Sequence, residues 1–131
     1  MKLLQIDEPT LLIRINKSYE SIMSSESLYD YTRGRWKVNP IRAKNVKFAF
    51  SIFDGIVREV YEVNNWYEAG TTESSRKPTD KPELNSTKST VGRFEFKGKV
   101  ASDGIRDKYL GKSVRHLFAK GNANPIKYVN V

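Results

Sequence analysis

A two-residue link, Asp54-Gly55, joins two stretches in which apolar and polar residues alternate, and no other feature constrains the fold more tightly. The alternation covers Lys47–Phe53 before the link and Ile56–Val63 after it. An Asp-Gly pair in this position favours a type I′ turn, because both central residues of that turn need positive φ. The sequence therefore predicts a β-hairpin within a sheet that is at least partly antiparallel.

The remainder of the chain predicts further short strands and a few short helices. We expect strands at Leu11–Ile15, Arg35–Val38, Arg93–Val100 and Ile126–Val131. We expect helices from Ser24 or Ser25 to Thr32, over Ile105–Leu110 and over Ser113–Lys120. This order indicates an α+β domain with a small curved antiparallel sheet or a partly closed β-barrel, and it argues against a doubly wound parallel sheet.

The strand predicted at Arg93–Val100 has one apolar and one polar face. Its apolar side carries Phe94, Phe96, Gly98 and Val100, and its polar side carries Arg93, Glu95, Lys97 and Lys99. We expect the first set to face the core and the second to face solvent.

The length of 131 residues fits a single domain, residues 1–131, with one core. Residues 71–90 are almost entirely polar, so we expect a mobile surface loop there. The chain has no apolar run near the roughly 20 residues of a membrane helix, and charges interrupt its start too early for a signal peptide. We therefore expect a cytoplasmic protein. The absence of cysteine excludes disulfides and thiolate metal sites.

The net charge of +8 is concentrated in two parts of the chain. Residues 31–58 and 92–131 each carry a net charge of +6, whereas 1–30 and 59–91 each carry −2. If the fold brings the two basic blocks together, they form a patch that attracts polyanions over a Debye length of about 8 Å.

The first basic block also contains aromatic residues, and this combination is typical of nucleic-acid-binding modules. Cations neutralise phosphates while exposed rings stack on bases. The predicted interface comprises Arg33, Arg35, Lys37 and Arg42 at phosphates and Trp36, Trp66 and Tyr31 near a base. We predict a non-catalytic nucleic-acid-binding domain that recognises a modified or flipped base, with no cofactor and no metal.

Two alternatives follow from other features of the chain. Glu95 and Lys97 form a Glu-x-Lys pattern which, with Asp54 or Glu62 as a distant acid, would suit a metal-dependent nuclease. An exposed strand edge would instead suit a protein-interaction or small-ligand module. A phosphate-binding loop at Gly111 is excluded, because Arg106 occupies the position of its first glycine.

Four segments carry a resemblance to known proteins: residues 28–38, 54–61 with Trp66, 106–114 and 124–130. Together they resemble an uncharacterised prokaryotic family, and this resemblance implies an association with restriction or DNA-defence genes. The order of a strand, a helix and a Trp-bearing edge also resembles the PUA-like superfamily, which includes EVE, ASCH and YTH domains. That resemblance implies a small barrel that binds RNA or modified bases, and it matches this chain at Trp36 and less closely at Trp66. The arrangement of basic segments around the insertion at residues 71–90 differs from that of those domains.

Overall fold

A computed structural model describes residues 3–15, 24–72, 92–118 and 124–131. Most of the predicted loop at 71–90 and the last two residues of the helix predicted at 113–120 lie outside the described residues. Within the described ranges, no helix is long and apolar enough to cross a membrane.

Six strands form one mixed sheet that curls into a half-barrel. The strands are β1 (Thr10–Arg14), β2 (Gly34–Trp36), β3 (Phe48–Phe53), β4 (Ile56–Glu68), β5 (Phe94–Val100) and β6 (Ile126–Val129). Their order across the sheet is β2-β5-β4-β3-β1-β6, so β2 and β6 lie at opposite edges. The predicted α+β class with a small curved sheet is confirmed. The prediction that the sheet is antiparallel was wrong in one place, because β1 pairs parallel with β3, and the long connection between them permits this pairing.

The hairpin predicted at Asp54-Gly55 is confirmed. Asp54 has a φ of 53° and Gly55 a φ of 74°, as a type I′ turn requires. The second strand, β4, continues to Glu68, and the asparagines after Val63 form a β-bulge within it. Gly98 of β5 lies opposite this bulge, where a Cβ would come within 2.1 Å of the Glu62 carbonyl oxygen.

Each face of the sheet carries its own apolar cluster. One cluster contains Leu11, Ile13, Ala49, Tyr61, Phe96 and Ile126 and packs against Leu28 and Tyr29 of helix α1 (Ser25–Arg33). The other contains Leu12, Phe50, Ile52, Val57, Val60 and Val114 and includes Tyr109 of helix α3 (Asp103–Tyr109). We call these two sides the α1 face and the α3 face.

Helix α1 also covers the part of the β5 edge that β2 does not reach. The Tyr29 hydroxyl accepts a hydrogen bond from the Gly98 N–H at 2.9 Å, and the Arg33 Nε donates to the Phe96 carbonyl at 3.0 Å. Side chains thus satisfy backbone groups that would otherwise be open at a sheet edge. The helix begins as predicted, with the Ser24 hydroxyl accepting from the Ser27 N–H at 3.1 Å.

A short helix that the sequence did not predict, α2 (Pro40–Ala43), follows β2. Pro40 occupies its first position, where proline is favoured. The Asn39 side chain caps this helix by accepting hydrogen bonds from the N–H groups of Ile41 and Arg42.

Three expectations near the C-terminal half were wrong. Glu95 is buried, because Arg33 and the turn after β4 enclose it, whereas Val100 is 44% exposed. Around the predicted helix at 113–120, the described residues form only a 3₁₀ turn at Arg115–Leu117. The last strand ends at Val129, two residues earlier than predicted.

Candidate nucleic-acid interface

The curl of the sheet brings its two edges to a shared pocket of about 280 Å³. From the β2–β5 side the pocket is lined by Trp36, Lys37 and Arg93, and from the β6 side by Asn124, Pro125 and Ile126. Strands β2 and β6 are first and last in the strand order, so residues from both line one pocket because the sheet curls. We call this pocket the seam pocket.

Side chains, rather than a strand ladder, join the two edges beside the seam pocket. The Asn39 N–H donates to the Tyr128 hydroxyl at 3.0 Å. The Arg42 guanidinium lies 4.0 Å from the centre of the Tyr128 ring and donates to the Val131 carbonyl at 3.2 Å. This cation–π contact holds the segment after β2 against β6.

Trp36 forms one wall of the seam pocket and is fixed in place. Its indole Nε1 donates to the Thr32 carbonyl at 2.7 Å, and its strand partner on β5 is Phe94. The side chain is half-buried and packs against the α1-face cluster. A ring held in this way offers a preformed apolar surface, so it pays little entropy when a ligand binds.

Lys37 and Arg93 supply the positive charge of the seam pocket, and they come from the two different basic blocks of the sequence. Lys37 is exposed, whereas Arg93 is half-buried and donates from Nη1 to the Arg35 carbonyl at 3.0 Å. Among the described residues, those that line the pocket include no carboxylate. The site is therefore electrostatically suited to an anion or to a ligand rich in hydrogen-bond acceptors.

Arg33 lies inside the protein, although the sequence had placed it at the surface. Its guanidinium is 4% exposed, donates to the Phe96 and Thr72 oxygens, and lies 3.5 Å from the Glu95 carboxylate. Its Cζ is also 5.5 Å from the centre of the Tyr29 ring. Because the Arg33 guanidinium is buried with the Glu95 carboxylate, it is not accessible to a phosphate, and we leave Arg33 out of the interface.

Glu95, the central residue of the nuclease alternative, has the same buried surroundings. Its carboxylate is 3% exposed and accepts hydrogen bonds from the N–H groups of Gly70 at 2.7 Å and Thr72 at 3.1 Å. Asp54, a suggested distant acid, lies 3.4 Å from Arg115 at the hairpin turn. In the described ranges no three acidic or histidine side chains are grouped closely enough to hold a metal ion.

Trp66 and Tyr31 are placed differently from Trp36. Trp66 pairs with Phe96, two residues along β5 from Phe94, so both tryptophans project from the α1 face. The Trp66 ring lies edge-on to Phe96 at 5.3 Å, and its buried Nε1 has no hydrogen-bond partner among the described residues. Tyr31 is half-buried in α1. Neither residue is among those that line the seam pocket.

Of the other predicted cations, neither Arg35 nor Arg42 is among the residues that line the seam pocket. Arg35 is half-buried beside Trp36, and Arg42 is exposed in α2. The sequence did not identify Arg93, Asn124, Pro125 or Ile126 as site residues. No pattern in the sequence pointed to Arg93, because it comes close to Trp36 only through the pairing of β2 with β5.

Two buried or partly buried networks outside the pocket shift the pKa of their members. Burial, together with the nearby Glu59, raises the pKa of Tyr61 well above its ordinary value, so this phenol stays protonated. Burial alone would raise the pKa of Glu8, but hydrogen bonds from Tyr109 and Lys108 outweigh it and hold this pKa below 4.5. Neither Tyr61 nor Glu8 is among the residues that line the seam pocket.

Comparisons of the chain with protein-family models, with curated proteins and with solved structures found no match.

Proposed function

We propose that this chain is a non-catalytic nucleic-acid-binding domain that holds one base in the seam pocket. The observation that carries the proposal is the convergence of a fixed indole, Trp36, with two cations, Lys37 and Arg93, at a pocket between the sheet edges. The volume of about 280 Å³ lies just below the usual range of about 300–1,000 Å³ for small-molecule sites. A single base suits this space better than a complete nucleotide cofactor.

The surroundings of the seam pocket suit the rest of a nucleic-acid strand. A base can enter such a pocket only when it is unpaired or flipped out of a duplex. Its sugar and phosphates then remain outside, and we assign the phosphates to Arg35, which precedes Trp36 in the chain, and to the exposed Arg42. The half-barrel is compatible with the PUA-like resemblance, which remains part of the proposal, as does recognition of a modified base.

Single-tryptophan variants provide the test, because the chain has two tryptophans. Trp66→Phe leaves Trp36 as the sole indole, and Trp36→Phe leaves Trp66. Both are titrated with single- and double-stranded DNA and RNA at two salt concentrations. We expect a bound base to quench the fluorescence of Trp66→Phe and not that of Trp36→Phe.

Affinity and its salt dependence complete this test. Stacking of one base is worth about 1–3 kcal/mol, so Trp36→Ala should weaken binding by about 5- to 150-fold while circular dichroism shows a folded protein. For a single strand, two to four phosphate contacts give a slope of log affinity against log salt of about −1.4 to −2.8. Absent binding, or binding without salt dependence and without Trp36 quenching, would refute the proposal.

A further inference from the structure

We infer that the seam pocket selects guanine over the other bases, through the two acceptors O6 and N7 on one edge of that base. This inference rests on the proposed function, and it assigns Lys37 and Arg93 to the base instead of to phosphate. It follows from the hydrogen-bonding groups that the lining residues carry.

The donor of Trp36 and three acceptors of the pocket wall already have partners within the protein. The indole Nε1 donates to the Thr32 carbonyl at 2.7 Å. The Asn124 Oδ1 accepts from the Ile126 N–H at 3.1 Å, and the Asn124 carbonyl accepts from Arg14. The Pro125 carbonyl accepts from the Arg14 N–H at 2.7 Å. These bonds reduce the number of acceptors that the pocket wall can offer to a ligand.

The two cations of the seam pocket contribute donors alone. An ammonium carries three N–H groups and a guanidinium five, and neither has an acceptor. Arg93 directs Nη1 to the Arg35 carbonyl, which orients the rest of its planar group. The seam pocket is therefore rich in donors and poor in acceptors.

The four bases differ in how well they suit such a site. Guanine presents O6 and N7 side by side, and Lys or Arg contact to this pair is the commonest specific contact in protein–DNA recognition. Adenine replaces O6 with an amino donor, cytosine presents an amino donor, and thymine presents one carbonyl next to a methyl group. An amino group facing Lys37 and Arg93 would bring donor against donor, so adenine and cytosine should bind most weakly.

Oligonucleotides with one test base between abasic spacers measure this preference, because every probe carries the same number of phosphates. The test bases are guanine, hypoxanthine, 7-deazaguanine, adenine, cytosine and thymine, and fluorescence of the Trp66→Phe protein reports binding. Hypoxanthine keeps O6 and N7, whereas 7-deazaguanine lacks the N7 acceptor. We expect guanine and hypoxanthine to bind about 5- to 100-fold more tightly than adenine, cytosine or 7-deazaguanine.

Charge-removing variants then separate base contacts from phosphate contacts. Lys37→Gln should abolish the preference for guanine and leave the salt slope unchanged, and Arg93→Gln should do the same. The matched control is Lys99→Gln, an exposed lysine six residues, or about 20 Å, along β5 from Arg93. We expect this control to keep the preference.

Two other results would overturn the inference in distinguishable ways. If all bases bind equally and Lys37→Gln lowers the salt slope by about 0.7, Lys37 contacts phosphate, and the proposed function survives without base selection. A preference for adenine or cytosine would likewise overturn the selection of guanine alone. If no probe binds, the proposed function itself fails.

Discussion

Breaking the buried ion pair between Arg33 and Glu95 should cost far more stability than removing an exposed charge nearby. In the Glu95→Gln variant, the Arg33 guanidinium stays 4% exposed but loses the carboxylate at 3.5 Å. Removing one partner of a buried pair typically costs about 3–5 kcal/mol, a large share of the roughly 5–15 kcal/mol that holds a domain of this kind. With an m value of about 2 kcal/mol/M, the urea midpoint should fall by about 2 M.

Urea unfolding followed by circular dichroism measures this shift, with Glu68→Gln as the matched control. Glu68 is an exposed carboxylate on the neighbouring strand β4, and its loss should change the free energy of unfolding by at most about 0.5 kcal/mol. The double variant Arg33→Met/Glu95→Gln should be more stable than the sum of the single changes predicts, by about 1 kcal/mol or more. If Glu95→Gln costs no more than Glu68→Gln, Arg33 is not buried against an obligatory partner, and its place in a phosphate interface must be reconsidered.

Two further predictions concern the fold around the site. The pKa of Glu8 is lower in the folded state than in the unfolded chain, so Glu8 stabilises the fold above pH 4.5. This stabilisation is lost as the pH falls through the pKa of the folded state. The unfolding free energy of the parent protein should therefore drop more steeply below pH 4.5 than that of Glu8→Gln. Equal slopes in acid urea titrations would contradict this reasoning. Gly98→Ala should destabilise by about 1–3 kcal/mol, because the new Cβ would come within 2.1 Å of a backbone oxygen, and a thermal melt as stable as that of the parent would show that β5 moves away without cost.

The features that the sequence predicted correctly are those with a local cause. The hairpin needs only Asp54-Gly55 and its flanking alternation, and α1 needs only its Ser24 cap and the spacing of its apolar residues. The errors arise where distant residues decide. Glu95 appeared to face solvent because its partner Arg33 lies far away in sequence, and alternation along one strand carries no information about that partner.

The seam pocket could not be predicted for the same reason. Trp36 and Lys37 were identified from their local composition, but Arg93 and Ile126 join them only through strand pairing and the curl of the sheet. Lys37 comes from the first basic block and Arg93 from the second, and both line this pocket. Of the six residues that line the pocket, the sequence analysis named only Trp36 and Lys37 as site residues.

A simpler explanation of the cations at the seam is edge protection. Charged residues commonly keep exposed strand edges from pairing with other chains, and β2 and β6 are short edge strands of this sheet. Edge protection requires only charge, however. It gives no role to the Trp36 indole, whose Nε1 donates to the Thr32 carbonyl at 2.7 Å and which forms a wall of the pocket. It also predicts that Lys37→Gln affects solubility and leaves ligand binding unchanged. The presence of Trp36 beside the two cations is therefore the reason to propose that the seam pocket is a binding site and not merely a protected strand edge.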